Sequence, residues 1–282
     1  MSIRKLQLLE LKILLELNRI CDKYKIQYFL MGGTLLGAVR HNGFIPWDDD
    51  IDIGMMRSEY VKFLEVCKYE LSEDYFLQTF ESDESYLFAF AKIRLNGTEY
   101  SEPINKDVLH HNGIYIDIFP FDHAPDNHYL RKLHRLMLLE MDIMCWMKYG
   151  YVKKPTTLKL KALSTLRLKT HRYLSRFFSK SQLIRMRENL LQKYNKKQTK
   201  YCINASFFHY PSEIFDQFIE LEFEGIKFPA PAGYTTYLEC AYGDYMCLPP
   251  EHERIRHTPY LPDFGRYVGI NSVDDILKQR SI

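Results

Sequence analysis

No run of the ~18 apolar residues that a membrane-spanning helix requires occurs in this 282-residue sequence, so no such span is expected. The opening stretch, Met1 to Ile20, is rich in apolar residues but broken by Arg4, Lys5, Glu10, Lys12, Glu16 and Arg19. It does not read as the uninterrupted core of a secretion signal, and a cytoplasmic location is the expectation. Cysteine is scarce, with six residues (Cys21, Cys67, Cys145, Cys202, Cys240 and Cys247) and no C-x-x-C pair. Reduced, mostly buried thiols are therefore expected. Cys240, Cys247, His252 and His257 fit no standard zinc-ligand spacing. Internal repeats and low-complexity tracts are absent too. What is there is the composition of a folded globular protein, 46% hydrophobic, 26% charged and 15% aromatic, enough for one large domain or two small ones.

Acidic residues are nearly missing from one stretch. Residues 131–200 hold 19 Lys and Arg against Glu140, Asp142 and Glu188, a net of +16, while the rest of the chain carries −14. Such an imbalance suggests that the basic segment faces something anionic. A solvated basic face that balances the acidic part of the same molecule is the plainer alternative.

Along the chain, Ile3, Leu6, Leu9, Ile13, Leu14, Leu17, Ile20 and Cys21 recur at helical spacing, so residues 2–24 read as an amphipathic helix. Ile26 to Leu30 reads as a short strand ended by Gly32-Gly33, and a helix with Thr34 at its N-cap follows to about Arg40. Ile51 to Ile53, Phe76 to Phe80, Phe88 to Arg94 and Gly113 to Phe119 read as further strands. Ser58 to Lys68 is helical, as is Tyr129 to Asn195, with breaks near Gly150 and Lys154-Pro155. The pattern gives an α/β catalytic core over residues 1–130, a basic helical insertion over 131–200, and a segment over 201–282 that returns to the core.

The residues that point to chemistry are acidic. Asp50 and Asp52 stand two apart on an extended stretch, so their side chains face the same way and repel unless a cation lies between them. Oxygen-only ligands suit Mg²⁺ or Mn²⁺ better than Zn²⁺. An acidic surface loop is the competing reading, but Phe44-Ile45-Pro46-Trp47 before the acids and Ile51 and Ile53 between and after them give the run an apolar frame. Upstream, Gly32-Gly33-Thr34 would leave backbone N–H groups free at a helix start, a geometry that suits phosphate. The combination resembles the nucleotidyltransferase superfamily, with its glycine turn, Asp-x-Asp pair and third carboxylate on a later strand. Asp117, between Ile116 and Ile118, is the natural third carboxylate, since an Asp on an apolar strand must be paired, hydrogen-bonded or metal-bound.

A closer resemblance lies in Met31 to Gly54, MGGTLLGAVRHNGFIPWDDDIDIG, which is similar to the signature of the LicD family, including the fukutin-type proteins. Lys92-Ile93-Arg94, Gly113 to Pro120, Glu222 to Ile226, Tyr242 to Tyr245 and Leu248-Pro249-Pro250 follow in matching order. The resemblance implies a nucleotidyltransferase-like mixed β-sheet core with flanking helices and a helical insertion. It also implies metal-dependent transfer of a phospho-alcohol, phosphocholine or a polyol phosphate, from a CDP-activated donor to a hydroxyl of a cell-surface glycan. The acceptor would be a teichoic acid, capsule or lipopolysaccharide, free or lipid-linked, and CMP would be released. By the motif match Asp48, Asp50 and Asp52 would hold Mg²⁺ or Mn²⁺, with Asp117 completing the site. Asp49, pointing oppositely on an extended chain, is the least suited of the run, and Asp117 is the candidate general base, since a well-placed carboxylate can take the hydroxyl proton.

Arg40, Lys92 and Arg94 are candidates for the donor diphosphate, with surface salt bridges as their alternative. Trp47 either stacks on the cytosine or caps the core, and Asp244 is an active-site neighbour. His41, His110 and His111 read as structural or exposed. A choline headgroup would call for an aromatic cage, for which Tyr234, Tyr237, Tyr242 and Tyr245 are available. Three other readings compete: a nucleotidyltransferase acting on a nucleoside triphosphate, a non-enzymatic binder that keeps the fold, and a nucleic-acid binder using the basic segment. No recognisable nucleic-acid reading motif supports the last, so no nucleic-acid partner is expected. Peripheral contact of residues 131–200 with an anionic membrane at the inner face of the cell is an expectation from charge.

Overall fold

The computed structural model describes residues 3–101, 111–149, 158–255 and 261–280. Its centre is β5 (Tyr115–Ala124), a ten-residue strand buried at every position except His123. The N-terminal half of β5 pairs with β2 (Asp52–Met56) in parallel on one side. On the other side it pairs antiparallel with β4 (Ala91–Leu95). The two-residue strand β1 (Phe29–Leu30) extends the sheet beyond β2, and β3 (Tyr75–Gln78) extends it beyond β4. The C-terminal half of β5 takes β6 (Tyr201–Asn204), which in turn pairs with β7 (His209–Pro211). One parallel pair among antiparallel ones makes a mixed sheet, and with its flanking helices this is the α/β, nucleotidyltransferase-like core expected from the sequence.

α1 (Ile3–Tyr24) packs against β4, β5 and α3 (Arg57–Glu70). It is more enclosed than an amphipathic surface helix: every residue from Leu6 to Leu17 is buried, including Glu10, Lys12 and Glu16. A helix surrounded on all sides must pair its charges. Glu16 accepts from Arg19, and Lys12 lies over the Tyr267 ring. Leu9, Ile13 and Leu17, all fully buried, each contribute about 2 kcal/mol by leaving water.

The predicted helical region from Tyr129 resolves into α4 (His128–Lys148), α5 (Leu158–Ser175) and α6 (Lys180–Leu191). Asn127 caps α4 through its side chain, and Ser179 with Gln182 forms a capping box on α6. The predicted breaks at Gly150 and Lys154-Pro155 lie outside the described residues, as does His110. Further along, β8 (Phe218–Phe223) and β9 (Ile226–Pro231) form a hairpin, followed by α7 (Tyr234–Tyr242) and, near the end, α8 (Val273–Arg280). The hairpin and α7 pack against β1 and α2 (Gly32–His41). Glu224 at the hairpin tip accepts hydrogen bonds from the Phe44 N–H and from Arg4, which ties the segment leading to the aspartates in place.

Boundaries differ from the sequence reading in one consequential way. The strand expected from Ile51 begins only at Asp52, so Asp48 to Asp50 lie in the loop before it. The whole run is positioned by that loop together with the strand, not by strand alternation alone.

Candidate active site

Sheet register builds the floor of the site. Asp52 on β2 stands opposite Asp117 on β5, and Asp117 stands opposite Lys92 on β4. Residues directly opposite on neighbouring strands share a face ~5 Å apart, so Lys92, Asp117 and Asp52 form a row across three strands. Lys92 Nζ donates to Asp117 Oδ1 at 2.7 Å, with the lysine side chain 1% exposed. The ammonium also lies 3.5 Å from the centroid of the Tyr115 ring. Lys92 is thus committed to orienting Asp117.

The start of α2 builds the opposite wall. Thr34, expected at the N-cap, lies inside the helix, because α2 already begins at Gly32 with Met31 as N-cap. Thr34 Oγ1 instead accepts from the Asp52 N–H at 2.8 Å, joining α2 to β2. Gly32 has φ +56°, a left-handed conformation that glycine adopts without strain. A Cβ there would run into the Asp52 carboxylate, and one on Gly33 would lie 2.5 Å from Asp48 Oδ2. The sequence reading assigns this turn to phosphate, but the structure sets two of the chain's own carboxylates against it. The first turn of a helix favours negative charge through its free N–H groups and dipole. The Gly32 N–H is itself occupied, donating to the Tyr237 hydroxyl at 3.1 Å. Gly33→Ala is expected to reduce transfer at least tenfold by displacing Asp48, with a melting temperature lowered only slightly; unchanged turnover would show that Asp48 has room to move.

Between floor and wall lies an open cavity of about 690 Å³, lined by Gly33, Arg40, Trp47, Asp48, Asp50, Asp52, Asp117 and Asp244. Phe119, Tyr242, Tyr245, Leu248 and Pro249 form its apolar side. Eight of the twelve site candidates therefore converge. Gly32, Thr34, Lys92 and Arg94 stand outside the lining. Arg94 is fully buried, donating to Gln78 Oε1 at 2.5 Å and the Gly113 carbonyl at 2.8 Å. A direct diphosphate contact by Arg94 or Lys92 does not fit this placement. Arg40 does face the cavity, and its Nη1 holds the Tyr245 and Cys247 carbonyls at the rim. Burial, and then the nearby Arg254, hold its guanidinium below the usual value. Trp47 both lines the cavity and packs on the core, with the Arg254 guanidinium 5.3 Å from its ring. Asp244 accepts from Cys247 Sγ at the exposed rim. Asp49 does not line the cavity; it is buried and accepts from the Tyr100 hydroxyl at 2.7 Å.

Crowding of like charge marks the electrostatics. Burial first, then Asp50, Asp117 and Asp48, push the Asp52 carboxyl well above the usual carboxylate range, with Lys92 acting against them. Glu10, fully buried on α1, is pushed up as well, by burial and then by Asp50, Asp49, Asp48 and Asp117. Among the described residues its Oε2 has no hydrogen-bond partner. Sequence reading missed Glu10, since one acid within an apolar helix looks like a break in the pattern. Glu10→Gln is expected to raise the melting temperature at pH 8 more than at pH 5. The folded protein resists ionising this group while the unfolded chain ionises it above ~4, so wild-type stability falls as pH rises from there. An equal shift at both pH values would remove this account.

The donor set is all oxygen and the lining has an excess of carboxylates over Arg40, which is the chemistry a hard divalent cation requires. Among the described residues, however, no group of three or more His, Cys, Asp or Glu side chains is already arranged to hold a metal ion.

A mixed sheet that sets Asp52 and Asp117 side by side at the glycine start of a helix places the protein in the nucleotidyltransferase-like fold class. A family model described as "LicD/FKTN/FKRP, nucleotidyltransferase domain" matches residues 25–136, which hold all four cavity-lining carboxylates of the floor and wall. The chain is 36% identical over 275 residues to the lipopolysaccharide cholinephosphotransferase LicD of Haemophilus influenzae, covering 91% of this chain and 96% of that one. It is also 57% identical over 30 residues to the human ribitol 5-phosphate transferase FKRP, 11% of this chain and 6% of that one. The chain belongs to the LicD family and is an enzyme of the phosphotransferase type.

Proposed function

We propose that this enzyme transfers a phospho-alcohol, phosphocholine or a polyol phosphate, from a CDP-activated donor to a hydroxyl of a cell-surface glycan. The supporting observation is the single cavity in which Asp48, Asp50, Asp52 and Asp117 face Arg40 and an aromatic side, in a chain that aligns along nearly its whole length with a cholinephosphotransferase. Asp48, Asp50 and Asp52 would hold Mg²⁺ or Mn²⁺, which when bound neutralises the donor diphosphate. Asp117, oriented by Lys92, takes the proton of the acceptor hydroxyl. The acceptor oxygen forms a bond to the phosphorus that carries the alcohol, the bond from that phosphorus to the CMP oxygen breaks, and CMP departs with the electron pair. Arg40 is the candidate diphosphate ligand, since among the described residues its Nη2 makes no hydrogen bond. Tyr242, Tyr245 and Phe119 line the cavity and supply the aromatic residues that a quaternary ammonium would call for.

In this reading the acceptor is met at the inner face of the cell membrane, carried on a lipid. No helix among the described residues is long and apolar enough to cross a membrane, so contact would be peripheral. The competing chemistry, nucleotidyl transfer from a nucleoside triphosphate, would attack the nucleotide's own phosphorus. Incubation with Mg²⁺ and either CTP or CDP-choline, with an acceptor glycan, separates the two. CMP released only from CDP-choline supports the proposal, and pyrophosphate released from CTP would replace it.

A further inference from the structure

The helices beyond the catalytic carboxylates carry a surface that the chemistry leaves unused. On the first turns of α4, Tyr129, Leu130, Leu133, Leu136 and Met137 are between 43% and 80% exposed. Their spacing puts all five on one face of the helix. At the end of α5 and just beyond it, Tyr173, Leu174 and Phe177 are 59%, 42% and 66% exposed. The two groups stand toward opposite ends of α4, since Lys148 near its C-terminal end donates to the Ser175 carbonyl and Glu140 binds Arg167 and His171. Each is a cluster of large exposed apolar side chains, which marks an interaction surface where scattered ones would not.

The charge around them is of one sign. Lys132, Lys169, Arg172 and Arg176 are exposed and make no ion pair among the described residues. All three acids of residues 131–200 are already answered. Glu140 binds Arg167 and His171, Asp142 binds Arg187, and Glu188 binds Arg57. The net +16 of this stretch is therefore offset by no free carboxylate of its own. Exposed leucines and a methionine beside unpaired cations suit a surface that is apolar beneath and anionic on top. A nucleic acid would be met by stacked aromatic rings along a groove, and this face is mostly aliphatic.

We infer that the α4–α5 pair is the face on which the enzyme rests on an anionic lipid bilayer. The exposed apolar side chains enter the headgroup boundary and the flanking cations lie against lipid phosphates. The inference rests on the proposed function only in giving that contact a purpose, an acceptor held at the bilayer; the surface itself is independent of the site.

Co-sedimentation tests it with vesicles of phosphatidylcholine, alone or mixed with phosphatidylglycerol. The protein is expected to partition onto the mixed vesicles at low salt, to leave them at high salt, and to ignore the neutral ones. Each cation removed from the surface lowers partition by up to about fivefold, so the quadruple variant K132Q/K169Q/R172Q/R176Q is expected to lose at least tenfold. The triple variant L130S/L133S/L136S is expected to weaken binding as well, while adding no charge. Both should release CMP from CDP-choline at the wild-type rate with a water-soluble acceptor, which also reports that they are folded. Equal partition onto both vesicle types, no partition at low salt, or unaltered binding by the quadruple variant overturns the inference. So does tight binding of single-stranded RNA with no vesicle partition, which would reassign the face to nucleic acid. Wild-type vesicle binding without any CMP release would instead strike at the proposed reaction and leave the docking face standing.

Discussion

Asp52→Asn is expected to reduce transfer by about a thousandfold or more and, in the absence of divalent ions, to make the protein more stable. The two effects have one cause. Asp52 sits in the row with Asp117, against the first turn of α2, and its carboxyl is pushed up by burial and by Asp50, Asp117 and Asp48. Such crowding favours a cation drawn in between the carboxylates. Removing one anionic ligand costs several kcal/mol of the stabilisation a bound metal provides, and ~4 kcal/mol is a factor of about a thousand in rate. The asparagine keeps the shape of the side chain, and the Asp52 N–H bond to Thr34 is a backbone interaction that survives the change.

The sign of the stability effect follows from linkage. The folded-state value is raised, while in the unfolded chain an aspartate ionises near ~3.9. Above that pH the unfolded state gives up its proton first, so stability falls as pH rises through the folded-state value. Asparagine escapes this loss. Thermal melts in chelator should therefore show little gain for the variant near pH 4 and a growing one toward pH 8. Added Mg²⁺ should raise the wild-type melting temperature more than the variant's. Retained turnover in Asp52→Asn, or wild-type turnover in chelator, would end the metal-assisted reading.

What the sequence made legible was the chemistry-bearing run itself. Asp48, Asp50, Asp52 and Asp117 stand in a motif whose residue types admit few explanations, and they do line one cavity. Register was legible only in part. That Asp50 and Asp52 face alike can be read from spacing, but that Asp117 lies beside Asp52, and Lys92 beside Asp117, depends on strand order. Periodicity within single segments carries no information about which strands become neighbours. The same limit misplaced the cations. Lys92 and Arg94 read as diphosphate candidates or as partners in surface salt bridges, whereas both are buried on β4 between the strands on either side. The glycines were legible only in part for a related reason. Gly32-Gly33 looks like a phosphate turn when only the chain on either side is known, and that Asp52 and Asp48 lie against it depends on how β2 folds against α2. Least legible were partners from distant segments. The Tyr237 hydroxyl on Gly32, Glu224 on Phe44 and the Tyr245 carbonyl on Arg40 each join residues more than a hundred positions apart, and none has a local signature.

Asp117→Asn is expected to slow transfer by about a hundred- to ten-thousandfold, the range lost when a positioned base is removed, while donor affinity changes little. Asp117 stands next to Asp52 but is held differently, because Lys92 donates to its Oδ1 from the neighbouring strand. The amide keeps an oxygen for that hydrogen bond, so the side chain should stay in place. It removes the negative charge and the site that accepts the hydroxyl proton. The Lys92 ammonium, 1% exposed, then loses the carboxylate charge it donates to, so a lower melting temperature is expected alongside the kinetic loss. Lys92→Met serves as the control: it spares the carboxylate but frees its orientation, and should reduce turnover less than Asp117→Asn does. The pH dependence separates base from ligand. A base must be ionised to work, so wild-type turnover of bound donor should fall toward acidic pH, and the residual activity of Asp117→Asn should lose that limb. Direct titration with CDP-choline completes the test. If donor binding collapsed in Asp117→Asn while bound donor turned over at the normal rate, Asp117 would be part of the donor site, and the proton would have to leave by another of the cavity's carboxylates.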